Sequence, residues 1–240
     1  MQEERNRIAE VLAYSLDRAA KRMGLSFGEE QKEKAALYLR ELVRWNRAYN
    51  LVGRKLGPEE LVGLFVDAIT PLAVKGLLGG SQEVLDIGAG AGMPGVPLYI
   101  MGGPFPLTLM EAQRKKVTFL RHICKTLALE GAQVYAGRLE EARRVEDMQN
   151  AFDLVLARAV MEPLRLCRMA RPLLAEGGIA LLYLGKKDME TVRKKSAVPG
   201  IDGWRMEAVR STQRIVQKDL YLVLLRKSDN GKAWGCGKIS

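Results

Sequence analysis

The chain predicts a doubly wound α/β fold: a mostly parallel seven-stranded sheet preceded by an N-terminal helical extension. Three observations carry this expectation. The first 80 residues place apolar side chains at helical spacing and show no strand pattern. From residue 83 onward, short apolar runs alternate with amphipathic stretches, the pattern of βαβ units. Three glycines follow the first of those runs at once, where such sheets turn sharply and bind their ligands.

In the extension, Ile8, Val11, Leu12 and Leu16 share a helical face, as do Ala35, Leu39, Leu42 and Val43, then Leu61, Leu64, Phe65 and Ala68. Ser26 stands before Glu29 and Glu30 at the spacing of a capping box for the second helix. The apolar runs predict strands over 83–87, 106–110, 132–136, 153–157 and 179–184, with helices near 94–102, 113–129, 138–148, 162–174 and 187–197. Runs at 204–209 and 220–225 follow each other without a helix pattern between them, which predicts an antiparallel pair at one edge. Residues 1–80 thus form the extension, 81–227 the ligand-binding domain, and 228–240, rich in Gly and Lys, a flexible tail.

A length of 240 residues suits one substantial domain with a smaller appendage. Hydrophobic residues at 48% and charged residues at 28% exclude a largely disordered chain. The formal net charge of +10 points to a polyanionic partner. Residues 1–80 hold 13 Lys and Arg against 11 Asp and Glu, so the excess lies downstream. It gathers as Arg114, Lys115, Lys116, Arg121 and Lys125, then Arg158, Arg165, Arg168 and Arg171, then Lys186, Lys187, Arg193, Lys194 and Lys195. Any one cluster reads equally well as a solvated helix face, but three in one domain favour a phosphate-binding surface. Cys124, Cys167 and Cys236 are widely spaced without a C-x-x-C pair, so neither a disulfide framework nor a metal site is expected. The start has no apolar signal core and no stretch reaches the ~18 apolar residues of a membrane span. A cytoplasmic protein with no membrane partner is the expectation.

The segment Val84-Leu85-Asp86-Ile87-Gly88-Ala89-Gly90-Ala91-Gly92 lets the backbone approach a nucleotide-like ligand closely. A dinucleotide site asks for glycine at position 93 so that the helix can cradle a pyrophosphate, and this chain has Met93. Asp86 would repel a pyrophosphate and attract the ammonium of a methionine moiety. S-adenosylmethionine is therefore the expected cofactor, with Asp86, Gly88 and Gly90 around it. Glu111 follows Gly90 near the ~20-residue offset at which an acidic side chain reaches ribose hydroxyls, a feature both cofactor classes share. An ordinary tight strand-to-helix turn would explain the glycines alone, but not their coincidence with Asp86 and Glu111. The fold expected is thus the Rossmann-like one of class I methyltransferases.

These residues resemble the glucose-inhibited division protein B (RsmG) family, over about residues 35 to 186. The likeness rests on Trp45-Asn46 with Asn50-Leu51, the Asp86 to Gly95 stretch ending in Met93-Pro94-Gly95, and Lys115, Lys116, Phe119 and Leu120. It continues through Arg138-Leu139-Glu140-Glu141, Phe152-Asp153 and Arg158-Ala159. The resemblance implies methylation of N7 of a guanosine in 16S ribosomal RNA, with the RNA or the small ribosomal subunit as partner. It also implies that Gly88, Met93, Glu111, Leu139, Glu140 and Arg158 contact the cofactor, Arg158 serving beside the methyl donor as the catalytic residue. Three departures stand on the expected substrate side: Phe65 with Asp67-Ala68-Ile69 where the family has a His and an Asp-Ser-Leu run, Asn50-Leu51-Val52 where it has Asn-Leu-Thr, and Leu184-Gly185 where it has Lys-Gly. They keep open a relative that methylates another substrate, or a non-catalytic RNA-binding protein.

Guanine N7 carries a free lone pair in the neutral base, so its methylation needs positioning and a suitable field more than a general base. The chain's single histidine, His122, reads as structural or exposed, and Cys124 and Cys167 as small helix residues. Ala157-Arg158-Ala159-Val160-Met161 lacks the Asn- or Asp-Pro-Pro-aromatic run of amino-group methyltransferases. Arg158 is alternatively a salt-bridged surface residue, and Trp45 is either a stacking platform for a looped-out guanine or a core side chain. Asn46 and Asn50 share a helix face and either cap its end or bind substrate. Lys186, just past the fifth strand, completes the substrate-binding candidates, and a monomer is expected.

Overall fold

The computed structural model describes residues 2–53, 56–196, 203–216 and 219–228. Three helices open the chain: α1 (Gln2–Met23), α2 (Glu29–Tyr49) and α3 (Pro58–Ile69). Each forms because apolar side chains recur on one face: Ile8, Leu12 and Leu16 in α1, Ala35, Tyr38, Leu39 and Leu42 in α2, and Leu61, Val62 and Phe65 in α3 are all buried. Pro58 opens α3, where its missing N–H is not needed. The cap of α2 is Gly28, whose N–H donates to Gln31 Oε1 at 2.8 Å. Ser26 is therefore not the cap: the helix begins two residues beyond where Ser26 would start it.

The sheet runs in the order β3-β2-β1-β4-β5-β7-β6. Its strands are β1 (Val84–Ile87), β2 (Leu107–Glu111), β3 (Ala132–Ala136), β4 (Phe152–Arg158), β5 (Leu174–Gly185), β6 (Trp204–Ser211) and β7 (Leu220–Lys227). β1 to β5 are parallel, and β7 lies between β5 and β6 antiparallel to both. Along β4, Leu154 and Leu156 enter one apolar cluster, while Val155 and Ala157 enter the other, as strand alternation requires. The first cluster joins α1, α2 and α3 with α4 (Gly95–Gly102) and α5 (Arg114–Thr126) on one face of the sheet. The second packs the other face beneath α6 (Leu139–Ala142), α7 (Pro163–Ala170) and α8 (Lys186–Ser196).

Four elements differ from the sequence expectation. β5 begins at Leu174, ahead of the apolar run, because Gly177 and Gly178 interrupt the hydrophobic pattern where the register opposite Phe152 and Leu154 shifts. The helix expected over 138–148 is one α turn followed by a 3-10 turn at Glu146–Met148, and α7 likewise ends in a 3-10 turn at Arg171–Leu173. A four-residue helix, α9 (Gln213–Val216), separates β6 from β7, too short to register as periodicity. Cys236, position 197 at the end of the expected last helix, and nearly all of the expected tail lie outside the described residues.

The departures from the family pattern fall largely in this packing. Phe65 has no exposed surface and sits against Tyr38 at 6.1 Å between ring centroids. Ala68 is fully buried and Leu184 is nearly so. Truncation of Phe65 to Ala removes a large side chain from this layer, so Phe65→Ala is expected to cost about 3–5 kcal/mol and to lower the melting temperature by roughly 10 °C in a thermal denaturation scan.

Candidate active site

The C-terminal ends of β1 to β5 line one edge of the sheet, and the loop after β1 sits where the strand order reverses, the usual ligand crevice of doubly wound folds. In that loop Gly88 adopts φ 66°, and a Cβ there would stand 3.0 Å from Val160 Cγ2. Only glycine meets both demands without strain. Hydrogen bonds hold the loop at each step. Ala89 N donates to Met110 O at 2.9 Å, Gly90 N to Glu111 Oε2 at 3.0 Å, and Gly92 N to Ala89 O at 2.7 Å. Tyr38 Oη donates from α2 to Ala91 O at 2.8 Å.

Asp86 is 1% exposed, beneath the loop instead of at its surface. Its Oδ2 accepts from Gly95 N at 2.8 Å, at the start of α4. Oδ1 is buried without a hydrogen-bond partner among the described residues. Burial pushes the carboxyl up to about 7, against the pull of the Gly95 N–H, with Glu111 nearby adding to the rise. The sequence placed Asp86 as a direct partner of an ammonium group; the structure gives it a first task in fixing the loop. Gly95 is the residue that sequence reasoning left without a role. A Cβ there would stand 2.8 Å from Asp86 Oδ2 and 2.9 Å from Leu109 Cδ2, so glycine allows α4 to close onto β1 and β2. The signal was present, as a glycine directly after Met93-Pro94.

Glu111 ends β2 with Oε1 accepting from Ala112 N and Gln113 N, each at 2.8 Å. Its carboxylate thus joins the ends of β1 and β2. Leu139 opens α6 and is buried in the cluster that holds Ile87 and Met110, while Glu140 beside it is exposed. Arg138 N donates to Glu141 Oε2 at 2.8 Å and starts that turn. Met93 is half-buried against the first cluster.

Arg158 ends β4, its side chain 21% exposed. Nη2 lies 3.3 Å from Asp67 Oδ2 and Nη1 3.4 Å from Leu64 O, so the guanidinium bridges to α3 through two long contacts. The salt-bridged reading therefore describes its contacts in the free chain. Ala159 follows at φ 52°, a left-handed conformation that a non-glycine residue holds only under constraint. No feature of the sequence announced it. Lys186 and Lys187 open α8 directly after β5, both exposed.

Gly88, Gly90, Met93, Glu111, Leu139, Glu140, Arg158 and Lys186 thus follow or end successive strands along one edge. Asn46 and Asn50 are not in that row. Asn46 Nδ2 donates to Gly53 O at 2.8 Å and its Oδ1 accepts from Val52 N at 3.0 Å, while Asn50 caps α2 at φ 52°. Asn50 ends the helix and Asn46 braces the turn that follows it. Trp45 is half-buried and packs against Phe119 and His122 at 5.6 and 5.1 Å between ring centroids. His122 Nε2 is 2.6 Å from Glu41 Oε2, a structural pairing. Burial pushes the Cys124 thiol up to about 11 and that of Cys167 to about 12, so neither is a thiolate at neutral pH.

The residues present fit S-adenosylmethionine. A buried carboxylate oxygen has no hydrogen-bond partner among the described residues, a glycine loop closes against any added Cβ, and Glu111 ends β2 at the offset from Gly90 at which an acidic side chain would reach ribose hydroxyls. Gly88→Ala is expected to weaken donor binding by roughly ten-fold or more in calorimetric titration, since the added methyl meets both Val160 and a left-handed backbone. Asp86 also makes a stability prediction. Because folding raises its pKa from the ordinary carboxylate value to about 7, its protonated form favours the fold below about pH 4, and that contribution is lost as pH rises through 7. Asp86→Asn is expected to melt above the wild type at pH 8 and to lose that advantage at pH 4, while binding the donor more weakly.

The rRNA small subunit methyltransferase G family model matches residues 31–221. Ribosomal RNA small subunit methyltransferase G of Caldanaerobacter subterraneus subsp. tengcongensis is 36% identical over 157 residues, 65% of each chain. That of Dictyoglomus thermophilum is 32% identical over 188 residues, 77% of each chain. Among solved structures, a mutant of MtNAS in complex with S-adenosylmethionine shares the fold at 14% identity and TM-score 0.53, over 94% of this chain and 98% of that one. Ribosomal protein L11 methylase of Lactobacillus delbrueckii subsp. bulgaricus does so at 12% identity and TM-score 0.54, over 72% and 81%. With its sequence matched from α2 into β7, the chain belongs to the rRNA small subunit methyltransferase G family.

Proposed function

We propose that this protein transfers a methyl group from S-adenosylmethionine to N7 of a guanosine in 16S ribosomal RNA. The observation that carries the reading is the buried Asp86 carboxylate under the Gly88 to Gly92 loop, with Glu111, Leu139 and Arg158 ending the neighbouring strands. When bound, the cofactor supplies an electrophilic methyl on a sulfonium centre.

The chain's own residues then have positioning tasks. Asp86 and Glu111 hold the loop and present acceptors to the ammonium and ribose ends of the donor. Leu139 offers an apolar wall to the adenine. Arg158, tethered to Asp67 at only 3.3 Å, swings its guanidinium from α3 toward the acceptor base and fixes it in line. No proton has to be removed from neutral guanine N7, which suits a site whose two carboxylates are engaged by backbone N–H groups. Burial raises the hydroxyl pKa values of Tyr38 and Tyr183 beside it.

Exposed Arg114, Lys115, Lys186 and Lys187 flank the row and offer phosphate contacts to the RNA. Asn46 and Asn50 act on the substrate indirectly, by shaping the loop after α2. No described helix is long and apolar enough to cross a membrane. A ribosomal acceptor places the enzyme in the cytoplasm, where we take it to act as a monomer on ribosomal RNA or the small subunit.

The test is incubation with labelled donor and either naked ribosomal RNA, assembled small subunits or tRNA, followed by digestion to nucleosides. Label in 7-methylguanosine from 16S RNA is the expected result, and label in any other nucleoside ends the proposal. Lys186→Glu together with Lys187→Glu is expected to raise the KM for RNA several-fold and to flatten its salt dependence by about one to two charges, with donor affinity unchanged.

A further inference from the structure

The helical extension reaches the donor loop through one side chain. Tyr38 lies in the middle of α2 with no exposed surface, its ring set against Phe65 and its hydroxyl donating to Ala91 O at 2.8 Å. Ala91 is the residue between Gly90 and Gly92, so this bond lands inside the donor loop. The same peptide unit is held from its other end, because Gly92 N donates to Ala89 O at 2.7 Å. Carbonyl and amide of one peptide are therefore both fixed, which sets the plane of the unit and with it the directions of the flanking loop amides. Further tethers of the loop come from the sheet: Met110 O, Glu111 Oε2 and Asp86 Oδ2. The loop glycines have little intrinsic preference for one conformation, so a fixed shape has to be imposed from outside.

We propose that Tyr38 is a positioning residue for the methyl donor: its hydroxyl holds the Ala91–Gly92 peptide in the binding conformation, which makes the N-terminal extension a structural part of the cofactor site. The inference rests on reading this loop as the S-adenosylmethionine site. Burial also raises the pKa of the phenol, so it stays a donor across the working pH range.

Tyr38→Phe keeps the ring and its packing and removes only the hydroxyl. A matched control is Tyr99→Phe. Tyr99 is nearly buried in α4, and its hydroxyl donates to Glu130 O, in the connection leading into β3 at the opposite edge of the sheet. The two variants are expected to lose similar thermal stability. Only Tyr38→Phe should weaken donor affinity, by about ten-fold in calorimetry, with a matching rise in the KM for donor and little change in kcat. In the free wild-type protein the Gly92 amide should exchange as slowly as the α2 core, a measurement that needs no variant. Donor affinity in Tyr38→Phe within about two-fold of wild type, or rapid exchange at Gly92 in the wild type, overturns the inference while leaving the cofactor site intact. A wild-type protein that gives no heat with the donor overturns the reading of the site and this inference with it.

Discussion

A single buried contact organises the active edge: the Asp86 carboxylate against the first amide of α4. Burying a carboxylate is unfavourable unless its oxygens are satisfied, and here only one of them is. Its local instability is tolerated because the contact turns the loop after β1 into the start of α4 in a fixed geometry. Gly95 is small because that approach is close, and the carboxyl sits near neutrality because little water reaches it. Ordinary structural economy would place an amide or a hydroxyl there. An ionisable group under strain at a sheet's ligand crevice is the mark of a position kept for binding.

The same reasoning explains why the extension is not an independent appendage in physical terms. Its apolar faces join one continuous cluster with α4, α5 and one face of the sheet, and two tyrosines bind across the seam. Tyr38 reaches the donor loop from α2, and Tyr183 at the end of β5 donates to Ala68 O in α3 at 2.6 Å. Arg158 adds a weaker tie between β4 and α3. α3 is thereby linked to the C-terminal ends of β4 and β5.

Much of this was legible in the sequence because it rests on local patterning. The alternation of apolar runs located the parallel strands and the antiparallel edge pair, and the Asp86, glycine and Glu111 spacing pointed to the edge where the strand order reverses. Where the pattern was broken by tight backbone, the reading failed: Gly177 and Gly178 hid the first half of β5, and α9, barely one turn long, never repeated its own signal. The fate of Asn46, Asn50 and Trp45 was undetermined for a different reason. Polar and aromatic residues on an amphipathic helix are ambiguous until their neighbours are known: Val52 and Gly53 meet Asn46 only through the turn after α2, and Phe119 and His122 are brought beside Trp45 only by tertiary folding. Ala159 was invisible because its left-handed backbone is imposed by the surrounding structure and not by its own chemistry.

The placement of β7 has a consequence for biogenesis. Among the described residues, the last strand, β7, is an interior strand of the sheet, wedged between β5 and β6, and β6 pairs with the sheet through it alone. While synthesis is under way, β5 carries an open hydrogen-bonding edge and β6 has nowhere to dock. Both wait for residues 220–227 to clear the ribosome. Until residues 220–227 are in place the β5 edge stays unpaired, so a chain lacking them would expose an aggregation-prone flank.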